Sequence, residues 1–140
     1  MRNDKDNVIV NKTVDFSLAI IQYCEALEQD RKYVIARQLL RAATGIGASV
    51  FEAQNAESKA DFIHKMKIAA KEASETLYWL TLCEKSPGYH FERKMLTDLE
   101  EIIRILSSII SSSKGKLPGL IWHMVYLFSN FQILKLTHLK

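Results

Sequence analysis

Apolar residues recur at three- and four-residue intervals along four long stretches of this chain, and short polar breaks separate them. From about Val8 to Glu28, Val14, Leu18, Ile21 and Leu27, with Phe16, Ile20, Tyr23 and Cys24 beside them, give a broad apolar stripe. Asp30-Arg31-Lys32 interrupts it. From about Val34 to Ala56, Leu39, Ala43, Ile46, Val50 and Ala53 repeat at steps of four, three, four and three, the rhythm of a bundle seam. Ser58 opens a third stretch that runs to about Lys85. Its seam is Phe62, Met66, Ala69, Ala73, Leu77 and Leu80, and Asp61 three residues past Ser58 suggests a capping box. Ser86-Pro87-Gly88 closes it. A fourth helix is expected from about Phe91 to Ser112, on Met95, Leu99, Ile102, Ile103, Leu106, Ile109 and Ile110.

No alternating, strand-like pattern is present. Four helices joined by short linkers favour antiparallel neighbours, so the expected fold is all-α, an antiparallel up-down-up-down four-helix bundle. The bundle is expected over residues 8–114 as one domain. A C-terminal extension follows at residues 115–140, where SSSKGKLPG breaks the last helix. Residues 117–134 carry no formal charge, close to the shortest membrane span. Pro118 and Gly119 at its start, and His123, Ser129, Asn130 and Gln132 within it, argue against a span. A docked helix or strand, an oligomer contact or a poorly ordered extension fits better.

Charge adds little. The net charge is +3, and Lys135 and Lys140 lie in the extension, so residues 1–116 keep +1. That balance does not announce a nucleic-acid binder. Cys24 and Cys83 are the only cysteines. Each sits in an apolar pattern, as buried, reduced thiols of a cytoplasmic protein would. The first seven residues are polar and no apolar core follows a basic start, so no signal peptide is expected.

One stretch invites a chemical reading. Residues 43–54, ATGIGASVFEAQ, place Gly45 and Gly47 inside the second helix. A dinucleotide loop needs G-x-G-x-x-G after a strand, and here the third glycine is missing and QLLRAA precedes. A Walker loop needs Gly-Lys-Ser/Thr, which the chain lacks. The alternative is a helix face made of small side chains. Ala42, Gly45 and Ser49 lie at i, i+3 and i+7, and Gly47 and Ala48 extend the region. Each glycine costs about 1 kcal/mol against alanine in a helix. Close approach of another helix, within the bundle or from another subunit, would offset it.

Catalytic and metal chemistry find no support. A di-iron bundle needs Glu-x-x-His pairs, and Asp61-Phe62-Ile63-His64 is a single shortened copy. Cys24 and Cys83 have no second zinc ligand one turn away, and no nucleophile elbow marks a triad. No cofactor and no enzymatic activity are expected. The basic residues are more suggestive. Arg37 and Arg41 lie one turn apart, as do Lys67 and Lys71 with His64 upstream, and Lys59 begins the third helix. They fit a solvated face with pairs such as Lys71–Glu75. They also fit a surface that follows a phosphate backbone, which a ring of copies would repeat.

The run QLLRAATGIGASVFEAQNAESKADFIHKMKIAAKEASETLYWL resembles the signature of bacterial 23S rRNA-intervening-sequence proteins. Their second helix typically reads Gln-Leu-x-Arg-(Ser/Ala)-Ala, then Ser-Ile-Gly-Ala-Asn-Ile-x-Glu. Gln38, Leu39, Arg41, Ala43, Ile46, Gly47, Ala48 and Glu52 match, while Gly45 and Ser49 replace Ser and Asn. In the third helix the match includes Asp61, Phe62, Ile63, Lys65, Ile68, Ala69, Lys71, Glu72, Ala73, Glu75, Thr76, Tyr78, Trp79 and Leu80. The resemblance covers residues 10–112 and departs after Lys116. It implies a left-handed bundle assembled as a homopentameric ring. It extends to accessory proteins of diversity-generating retroelements, which bind nucleic acid and a reverse transcriptase. It implies an RNA link or a protein partner, and no catalytic residues.

Overall fold

Two of the four helices open on a side-chain cap. The computed structural model describes residues 7–114. The expectations for residues 115–140, extension and membrane question alike, lie outside them. α1 spans Val8–Gln29. Asn7 caps it by accepting a hydrogen bond from the Val10 N–H at 3.4 Å. The Asn7 amide also donates to Gln54 Oε1 at 2.8 Å, which ties the start of α1 to the end of the next helix. Arg31 takes a left-handed φ of 61°, and residues 30–32 turn the chain back. α2 spans Tyr33–Gln54 and continues through both glycines, so residues 43–54 form no phosphate-binding loop.

α3 spans Lys59–Lys85. Ser58 Oγ accepts from the Asp61 N–H at 3.1 Å, as the cap predicted. The reciprocal bond differs. Asp61 Oδ2 accepts from the Glu57 N–H at 3.1 Å, one residue ahead of the cap, so the expected box is displaced by one position.

α4 spans Lys94–Lys114 and starts three residues later than the apolar pattern predicts. Residues 89–92 are used otherwise. Tyr23 OH donates to the His90 carbonyl at 2.9 Å, and the Phe91 ring meets Tyr23 edge-on at 6.5 Å. Phe91 therefore closes one end of the core instead of beginning a helix.

Each helix packs on its chain neighbours, and α4 returns to α1, which makes the up-down-up-down bundle. The seams of α2 and α4 point inward as their spacing predicts. Leu39, Ile46, Leu99, Ile102, Leu106 and Ile110 are shut from solvent, with Ile20, Leu27, Met66 and Leu80 between them. Two buried threonines satisfy their hydroxyls locally. Thr13 donates to the Ile9 carbonyl at 2.9 Å and Thr76 to the Glu72 carbonyl at 2.8 Å, so neither leaves an unpaired polar group.

α1 corrects the sequence reading. Its buried face is Ile9, Val10, Thr13, Phe16, Ile20, Tyr23, Cys24 and Leu27. Val14 and Leu18, expected in the seam, are 38% and 55% exposed. The apolar arc of α1 is wider than the face it buries, and Val14 and Leu18 lie at its edge.

Candidate nucleic-acid interface

The small residues of α2 are spent inside the bundle. Ala42 is fully buried, and Gly47 and Ser49 are buried as well. A Cβ at Gly47 would meet the Ser17 and Thr13 side chains of α1 at 3.5–3.6 Å, ordinary contact distances. Gly45 faces α3 instead. A Cβ there would fall 3.2 Å from Glu72 Cδ and Oε2. The two glycines thus serve different neighbours, and only Ala48 of the group is exposed. The structure places the close approach between helices of one chain.

The space at Gly45 holds the Glu72 carboxylate. Arg41 Nη1 lies 3.7 Å from Glu72 Oε2, and Arg41 Nη2 pairs with Glu75 Oε1. Trp79 Nε1 donates to the same Glu75 oxygen at 3.2 Å. Glu72 Oε2 is itself shut from solvent and without a hydrogen-bond partner. Its compensation is the Arg41 charge one helix away. The guanidinium of Arg41 therefore locks α2 to α3, and the expected Lys71–Glu75 pair is replaced by Arg41–Glu75.

This pairing segregates charge on α3. Asp61, Glu72 and Glu75 lie on the side turned to α2, where Asp61 also takes Lys65 at 3.6 Å. The adjoining, outward face carries His64, Lys67, Lys71 and Tyr78, at i, i+3, i+7 and i+14, a spacing that keeps them on one face. His64 and Lys71 are exposed and Lys67 half-buried. Tyr78 is 57% exposed, its ring set edge-on to Trp79 at 5.1 Å. Lys67 and Lys71 form no ion pair among the described residues.

The five basic candidates are thus not one cluster. Lys67 and Lys71 share the α3 face. Lys59, exposed, sits at the first turn of α3 and off that face, and Arg37 is exposed on the solvent side of α2. Neither forms an ion pair among the described residues. Arg41 is held by two carboxylates. Tyr78, seven residues after Lys71, adds an exposed aromatic ring to the face of Lys67 and Lys71 and is not among the basic candidates.

Elsewhere the chemistry is structural. A groove between α1 and α4 is lined by Lys12, Asp15, Lys94, Asp98 and Glu101, but four of these charges close on one another. Lys12 pairs with Glu101 at 2.9 Å and Lys94 with Asp98 at 2.5 Å. The Asp98 hydrogen bond raises the Lys94 pKa, and the Lys12 hydrogen bond lowers that of Glu101. Cys24 and Cys83 are free and buried. Burial pushes the Cys24 thiol up to about 12 and raises Cys83 too, which suppresses the reactive thiolate. Burial also raises Tyr23, with Cys83 beside it. Among the described residues no group of three His, Cys, Asp or Glu side chains is placed to hold a metal. No helix among them is long and apolar enough to cross a membrane.

The family model described as 23S rRNA-intervening sequence protein matches residues 5–111. A solved structure of similar fold is a protein of unknown function from the S23 ribosomal protein family of Bacteroides thetaiotaomicron. It is 39% identical, with a TM-score of 0.70, over 74% of this chain and 98% of that one. No curated protein matches the chain.

Proposed function

Since the chain belongs to the 23S rRNA-intervening sequence protein family, we propose that it works without catalysis, as a homo-oligomeric bundle that holds structured RNA against the outer face of α3. The observation that carries this reading is the charge segregation of α3. Glu72 and Glu75 are engaged by Arg41 of α2, and Asp61 by Lys65 of α3 itself. Exposed Lys71 and half-buried Lys67 share the outward face with the exposed Tyr78 ring. Two lysines one turn apart suit successive phosphates, and a tyrosine on the same face suits stacking on an unpaired base. One copy offers few such contacts. A ring, a pentamer as the resemblance implies, presents the face repeatedly, and avidity makes up for the near-neutral charge of the body.

Charge reversal tests the assignment. Lys67→Glu with Lys71→Glu lowers RNA affinity at least about tenfold at low salt and reduces the salt slope by roughly two. Arg41→Gln leaves that slope unchanged, because its charge is already committed to α3. Equal salt slopes for wild type and the double lysine variant would contradict the proposal.

A second reading is a scaffold for a protein partner, and the charge of +1 over residues 1–116 favours it. Its signature is a specific co-purifying protein together with no salt-sensitive RNA binding.

A further inference from the structure

The exposed apolar edge of α1 borders a groove with α2. Gly47 of α2 meets Thr13 and Ser17 of α1. The next residue after each of these α1 contacts, Val14 and Leu18, turns outward, and Ile21 continues their edge. On α2, Ala48 and Phe51 flank Gly47 on the solvent side. Val14, Leu18 and Phe51 are 38%, 55% and 50% exposed. A monomeric soluble protein scatters such residues singly, and a contiguous stripe marks a contact surface.

We propose that residues 117–134 of the same chain cover this stripe. Their composition fits: LPGLIWHMVYLFSNFQIL contains no formal charge and five aromatic side chains counting His123. Such a run needs an apolar surface to leave water. The geometry fits as well. α4 ends at Lys114, and in an antiparallel bundle that is the end where α1 begins, at Val8. Neighbouring helix axes lie about 8–10 Å apart, so the mouth of the α1–α2 groove is roughly 15 Å from the end of α4. Residues 115–119 span up to roughly 17 Å. Residues 120–134 then advance roughly 22 Å even at the compact rise of a helix, enough to pass Val14, Leu18 and Ile21. Charge sets the direction. Lys135 follows the uncharged run, and exposed Glu25 lies four residues beyond Ile21 on the same edge of α1. The α3 face lies elsewhere on the bundle, so this contact stands or falls independently of RNA binding.

The test uses the full chain with a benzophenone amino acid at Leu18, and separately at Phe51. A third position, Val34, is 74% exposed at the other end of the bundle and serves as the control. After irradiation, the adducts from Leu18 and Phe51 map to residues 117–134 in a product of monomer mass, and Val34 yields none. As a second readout, Leu18→Cys is slow to react with a water-soluble thiol reagent, the native thiols being buried. Charges placed in the tail by Trp122→Asp and Leu127→Asp raise that rate at least about tenfold. Adducts to a second copy, adducts to added lipid, or a Leu18→Cys rate as fast in the unaltered chain as with the tail charges would overturn the proposal.

Discussion

Gly47 and Gly45 are neighbours in sequence with different obligations. Room for a methyl group exists at Gly47, where the nearest side-chain atoms are at 3.5–3.6 Å. Gly47→Ala is therefore expected to raise stability by about 0.5–1 kcal/mol, through helix propensity and a less flexible unfolded chain. At Gly45 the methyl group would press on the Glu72 carboxylate at 3.2 Å, so Gly45→Ala gains less or loses. Denaturant melts of the two variants check the ordering, and an equal gain at both sites would contradict it. Arg41 offers a second case. Exposed ion pairs contribute little, yet here one carboxylate oxygen is shut from water. Arg41→Ala is expected to cost about 1–3 kcal/mol by leaving that oxygen uncompensated. Adding Glu72→Gln to Arg41→Ala recovers part of the loss, and a double-mutant cycle reads the coupling. The Arg41–Glu75 pairing joins residues 34 apart in sequence. Helical spacing shows partners one turn away and is silent on this one. That is why Arg41 reads as a phosphate ligand from sequence.

At the scale of elements, legibility followed how sharply each apolar pattern is centred. The four-three-four-three rhythm of α2 admits a single inward face, and all five of its seam residues are buried. The arc of α1 is broad, so its period predicts a helix without fixing which edge faces the core. Val14 and Leu18 therefore came out on the surface. The start of α4 was hidden for a related reason. Phe91 continues the apolar pattern of the helix that follows, but it packs against Tyr23 from a loop. The α3 face was half legible. Lys67 and Lys71 are evident from their spacing, whereas the fate of the acids on the same helix depends on packing. The two cysteines, on α1 and α3, carry a prediction of their own. The Cys24 thiol is held at about 12 against an ordinary 9.0. Between those values the folded chain keeps a proton that the unfolded chain releases. This contribution to stability is complete below pH 9 and is lost as pH rises from 9 to 12. Melts across that range show a decline that Cys24→Ala makes shallower, whatever it does to stability at neutral pH. An unchanged slope would contradict the burial argument.

For the whole molecule, the bundle supplies the frame and the proposed function rests on repetition. A single α3 face with two lysines is a weak ligand for a polyanion. Several copies held in register become a strong one. Oligomerisation and RNA binding are thus two halves of one claim, and one measurement addresses both. Full-length protein is mixed with a structured RNA, and the mass of the complex is read by light scattering as salt is raised. The account predicts an assembly of about five subunits that holds RNA at low salt, releases it as salt rises through counterion release, and keeps its protein mass. A monomer, or a ring that takes up no RNA at any salt, would contradict it.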